Sequence, residues 1–179
     1  MEQLQKNIEK IFRECGKPDE LFDAFQEAIS KKIDNKELYK ILLANPALTA
    51  DELMMYTEKL ASEYKNDSFD LFMWSGAIFE NKAGEFTNIN NALRYYKKAA
   101  VEKPADPKPY LSILKLYNYD INLPVNLDII KEIDNGIKEA NRKSVLYYAL
   151  ASHWERLGNF NLKRKYLGLA EKSALKENQ

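Results

Sequence analysis

Three stretches of the chain repeat one pattern at spacings of 36 and 37 residues, and this recurrence constrains the fold more than any other feature. Each opens on an aromatic residue: Trp74, Tyr110 and Tyr147. Three and four residues later stand Ala77 and Ile78, Ile113 and Leu114, and Leu150 and Ala151. Those offsets put the side chains on one helical face. Asn81, Tyr117 and Trp154 follow seven residues after the aromatics, and a second apolar stretch closes each unit with Ala99, Ala140 or Ala170. A period of this length holds one helical hairpin. A lone hairpin cannot bury its own apolar face, so stacked neighbours must build a shared core.

The rest of the chain reads as helices separated by breaks. Leu4, Ile8, Ile11, Phe12 and Cys15 have helical spacing, and Gly16 and Pro18 stop that helix. A second opens near Asp19 with Leu21, Phe22, Phe25, Ala28 and Ile29 on one face. Asp34 and Asn35 interrupt it, and a short third carries Leu38, Ile41 and Leu42 up to Asn45-Pro46. Thr49 with Glu52 three residues later is a capping box, flanked by Leu48 and Leu53 as a hydrophobic staple. Six further helices are expected at about 69–82, 89–103, 107–119, 127–141, 144–157 and 160–176. The breaks are Gly84, Pro104, Pro124, the Asn141 region and Gly158, with Asp106-Pro107 as a cap and first helical residue. No stretch alternates at period two, so the chain is expected to be all-α with about ten helices.

The three stretches resemble the tetratricopeptide repeat, whose pattern runs W-x2-L-G-x2-Y, then A-x3-F-x2-A, then P. The last stretch fits best, with Leu167 and Ala170 after a Leu157-Gly158-Asn159-Phe160 turn. The first fits through Ala92, Tyr96, Ala99 and Pro104, and the middle one through Ile133, Ile137 and Ala140 with a longer loop at Leu123-Pro124. The resemblance covers residues 71–176. It implies a right-handed α-solenoid of antiparallel helix pairs, with residues 1–70 as a helical cap or diverged repeats and 177–179 as a tail. The opening aromatics, with Tyr117 and Trp154, are expected to pack in the core.

Composition excludes several functions. A single Cys rules out a disulfide framework and a Cys-based zinc site within one chain, and a single His rules out a multi-His metal site. With 27 basic and 27 acidic side chains the net charge is zero, without the basic footprint of a nucleic-acid binder. The Lys163-Arg164-Lys165 run points around a helix and reads as a solvated face. His153 lacks a carboxylate or nucleophile at helical spacing on its face, and Cys15 reads as a small core residue. No phosphate loop, dinucleotide fingerprint, zinc-protease or EF-hand motif occurs. The expectation is a chain that is not an enzyme, with no metal and no cofactor. No targeting segment or spanning stretch is legible, so cytoplasmic localisation without membrane insertion is expected. Residues 1–70 carry a net −5 and residues 71–179 a net +5, which offers a route to self-association.

The resemblance also implies a function: holding a peptide or helix of another protein in a concave groove. Its groove positions fall two residues before the opening aromatic and one and five after it. Here these are Phe72, Ser75 and Phe79, then Lys108, Leu111 and Lys115, then Val145, Tyr148 and Ser152. Phe72, Phe79, Leu111, Lys115, Tyr148 and Ser152 are the expected partner-binding residues. Members of the family that clamp a C-terminal carboxylate use basic and Asn side chains, whereas the matching positions here are Ser75, Phe79, Ser112, Val145 and Ala149. An adaptor or scaffold is therefore expected, and a permanent structural subunit of a larger complex is the alternative.

Overall fold

The computed structural model describes residues 2–82 and 86–178. Its helices are α1 (Glu2–Glu14), α2 (Pro18–Ser30), α3 (Lys36–Leu43), α4 (Ala50–Glu63), α5 (Ser68–Asn81), α6 (Phe86–Glu102), α7 (Lys108–Lys115), α8 (Val125–Glu139), α9 (Lys143–Arg156) and α10 (Phe160–Glu177). A short 3-10 turn, Lys65–Asp67, precedes α5. Among the described residues there is no strand, and no helix is long and apolar enough to cross a membrane. The expected break at Gly84 lies outside the described residues.

Local chemistry sets most boundaries. The Thr49 hydroxyl accepts the Glu52 backbone N–H at 3.2 Å, while the Glu52 carboxylate accepts the Thr49 N–H at 2.8 Å, closing the capping box of α4. Leu48 and Leu53 beside it are both buried. Gly158 ends α9 at φ +72, a left-handed conformation glycine adopts without strain. The Asn159 N–H then bonds back to the Trp154 carbonyl at 2.8 Å, and its side chain accepts the Leu162 N–H to start α10. One boundary departs from expectation: α7 ends at Lys115 instead of running to Tyr119. The Asn118 side chain accepts the Asp120 and Ile121 N–H groups, and buried Asn126 bonds both ways to the Asn118 backbone. These side-chain bonds offer the backbone a better partner than a continued helix.

The chain forms two compact units, residues 1–78 and 79–179. In the first, α1 packs on α2 and α3, and α3 on α4. Ile8, Phe12, Leu21, Phe25, Leu42, Leu53, Tyr56 and Leu60 are buried there, with Phe25 edge-on to Tyr56 at 4.7 Å. Asn45 ties the end of α3 to α1 by donating to the Phe12 and Cys15 carbonyls, at 2.9 Å each. Cys15 is half-buried, with its thiol 3.3 Å from a Glu20 oxygen, so it is not the core residue the sequence suggested.

In the second unit each helix from α6 to α10 packs on the next. Contacts also run from α6 to α8 and from α7 to α9. This packing of neighbouring pairs suits a helical repeat. Ala99, Ala140 and Ala170 are all buried, as the repeat pattern requires of small residues at close helix approaches. Gly136 of α8 performs the same service: a Cβ there would lie 2.5 Å from the Tyr110 ring. Of the opening aromatics, Tyr110 is buried and Tyr147 half-buried. Trp74 is a correction. Its ring is 37% exposed, because its Nε1–H donates to the Lys40 carbonyl at 3.0 Å and holds the indole at the surface of the first unit.

Candidate functional site

The expected groove residues fall into two groups. Phe72 and Phe79 are both buried, so neither is the exposed anchor the sequence suggested. Phe79 is 1% exposed and stacks on Tyr95 of α6 at 5.8 Å with nearly parallel rings. Ser75 is buried as well and shares a 2.7 Å hydrogen bond with Thr57. The groove positions of α7 and α9 lie differently. Leu111 and Val145 are half-buried, Lys108, Lys115 and Ser152 are exposed, and Tyr148 is 44% exposed.

Lys108, Leu111 and Val145 meet in one trough of about 670 Å³ in the second unit, together with Lys103, Pro104, Ala105, Asp106, Pro107, Asn141 and Arg142. Its walls are the α6–α7 and α8–α9 turns, and its floor is the first turn of α7 and of α9. The walls are joined, since the Asn141 N–H donates to the Ala105 carbonyl at 3.1 Å. The Asp106 carboxylate accepts the Lys108 N–H at 2.9 Å, and α7 starts at Lys108 with Pro107 as its N-cap, one residue later than expected. Tyr110 sets the roll of α7: its ring lies on Gly136 and its hydroxyl donates to the Pro104 carbonyl. Lys115 and Ser152 lie four residues after Leu111 and Tyr148, and Tyr148 three after Val145, so they continue the same helix faces beyond the trough.

The start of α9 is fixed from the far end of the unit. Arg142 provides no side-chain cap. Instead Glu177, expected in a tail, is the last residue of α10, and its carboxylate accepts the Ser144 N–H at 2.9 Å and the Ser144 hydroxyl. Burial pushes the Glu177 carboxyl up, but these bonds, with help from the Lys143 N–H and Arg142, hold it below the usual carboxylate range. Sequence reasoning missed this cap because Ser144 and Glu177 are 33 residues apart and only the α9–α10 hairpin joins them.

His153 is buried, with its Nδ1 2.9 Å from the Tyr119 hydroxyl and its ring edge-on to Tyr117 at 4.5 Å. Burial and the Arg156 charge both hold its pKa below the ordinary histidine value. The Arg156 guanidinium stacks on Tyr119, 3.7 Å from the ring centroid. The cluster fastens the 116–124 loop to α9.

A second hollow, of about 420 Å³ in the first unit, is lined by Phe12, Arg13, Lys40, Ile41, Ala44, Pro46 and Trp74, with Glu37 and Asn45. It went unread in the sequence because Trp74 was assigned to the core. Among the described residues no group of three or more His, Cys, Asp or Glu side chains could hold a metal ion. No protein-family model, curated protein or solved structure matches the chain.

Proposed function

We propose that the chain is a non-enzymatic interaction module, an adaptor or scaffold, in which tetratricopeptide-like helix pairs hold a peptide or helix of a partner protein along α7 and α9. The groove comprises Lys108, Leu111 and Lys115 of α7 with Val145, Tyr148 and Ser152 of α9, and it works without a cofactor, in the cytoplasm. The supporting observation is the trough itself. Three residues picked only by their offset from the opening aromatics, Lys108, Leu111 and Val145, line one depression. Its size suits a side chain and its neighbouring backbone, and its apolar floor with polar rim is the usual composition of a recognition surface.

The test is affinity capture of the tagged chain from its own cells. Wild type is compared with the Leu111→Ser, Tyr148→Ala double variant and with Leu127→Ser, a control at an α8 residue 78% exposed and outside the trough. The reading expects a co-purifying protein that the double variant loses and the control keeps, with both variants melting like wild type. Retention by the double variant would sink it.

The permanent-subunit reading has one observation in its favour. Val101 of α6, Leu127 of α8, and Phe160 and Leu175 of α10 are all more than half exposed. A chain that elutes as a stable monomer favours the adaptor. One that aggregates without its partner favours the subunit.

A further inference from the structure

The trough on α7 and α9 carries a charge arrangement that says what would fill it. Leu111 and Val145 form its apolar floor, with Pro104 and Pro107 in one wall. Lys108 and Arg142 both line it, beside Lys103, and both are exposed. Among the described residues neither is in an ion pair. The Arg142 charge acts on the Glu177 carboxylate, which is itself hydrogen-bonded by Ser144. The one acid in the lining, Asp106, accepts a backbone N–H of α7 and stands against three lining cations, Lys103, Lys108 and Arg142. The chain as a whole is neutral, but residues 71–179 carry a net +5, so the trough lies in the more basic half of the chain.

We propose that this trough takes an extended acidic segment of a partner protein, one large apolar side chain seated on Leu111 and Val145 and carboxylates on either side meeting Lys108 and Arg142. The inference rests on the groove reading above and adds the partner's chemistry to it. The walls are already joined by the Asn141–Ala105 bond, so the segment meets a preformed surface. Opposite charge at the rim also steers encounter, and rim charges act mainly on association rate and salt dependence.

Fluorescence anisotropy of labelled peptides against the full chain tests it. The probes are Ala-Asp-Glu-Phe-Glu-Asp-Ala, its counterpart with Lys at each acidic position, and a single-stranded oligonucleotide. The acidic peptide should bind at low salt, weaken several-fold as salt shortens the screening length, and outcompete both other probes. Charge reversal by Lys108→Glu with Arg142→Glu should weaken it about tenfold or more, since two exposed attractions become repulsions. Lys108→Gln with Arg142→Gln, which avoids repulsion within the fold, should give a smaller loss. Circular dichroism melts confirm that each variant is folded. No binding of the acidic peptide at millimolar concentration overturns the proposal, as does equal binding of the Lys peptide, tighter binding of the oligonucleotide, or indifference of the folded variants. If a captured partner depends on Leu111 and Tyr148 but ignores both charge variants, the groove reading stands and the acidic chemistry falls. If it ignores all of them, both fall.

Discussion

Gly136→Ala is a sharp test of the packing that positions α7. In an exposed helix interior, alanine is favoured over glycine by roughly 1 kcal/mol. At Gly136 the new Cβ would sit 2.5 Å from both Cδ1 and Cγ of Tyr110 and 2.9 Å from Cδ2. Carbon atoms prefer roughly 3.5–4.0 Å, so the ring must move by about 1 Å. It has little room, being buried and tied to the Pro104 carbonyl. Overpacking of this kind costs about 1–3 kcal/mol, and with the ring this tightly held the cost outweighs the propensity gain, leaving a net loss of up to about 2 kcal/mol. Gly168 of α10 is the internal control, with nothing within 4 Å of its notional Cβ. Gly168→Ala should stabilise by about 0.5–1 kcal/mol. For a chain of this size 1 kcal/mol moves the melting temperature by about 2–4 °C, so the two variants should shift in opposite directions, resolvable by circular dichroism or urea titration. Tyr110 also sets the roll of α7, so Gly136→Ala should weaken groove binding as well. If Gly136→Ala raises stability as Gly168→Ala does, Tyr110 does not lie on α8 and the geometry of the trough is wrong.

Two further outcomes follow from buried residues. Ala99→Leu, at a fully buried site on α6, should destabilise by about 1–3 kcal/mol, and an unchanged melt would mean that the repeat register is misplaced. Burial and the Arg156 charge hold the His153 pKa below the ordinary histidine value among Tyr117, Tyr119 and Trp154, so the unfolded chain takes up its proton first as the pH falls. Its contribution is therefore complete above about pH 6.5 and is lost as the pH falls toward the folded-state value. His153→Gln should flatten the stability slope between about pH 7.5 and 5.5, and identical slopes would refute the assignment.

The helices were legible because their ends are written in short-range chemistry. The Thr49–Glu52 box, the Asp106-Pro107 start and the Gly158-Asn159 turn each act within a few residues, and each occurs where expected to within about one residue. The faces of α5 were not legible. Phe69, Leu71, Phe72, Ser75 and Phe79 are all buried, and between Asp70 and Glu80 the helix carries a single polar side chain, Ser75. Such a helix has no amphipathic stripe to say which face is covered. The repeat register supplied one, and it was wrong there: Trp74 lies at the surface and Phe79 inside. On α7 and α9 the same register selected Lys108, Leu111 and Val145, which line one trough. The Glu177 cap and the Asn141–Ala105 bond were invisible because each joins residues that only the tertiary fold brings together.

The most direct test of the groove is site-specific photocrosslinking in the protein's own cells. The photoreactive residue p-benzoylphenylalanine replaces Leu111, Tyr148 or, as the exposed control, Leu127. The groove reading predicts the same partner adduct from positions 111 and 148 and none from 127. An adduct from 127, or none from 111 and 148 while the partner still co-purifies, would contradict it.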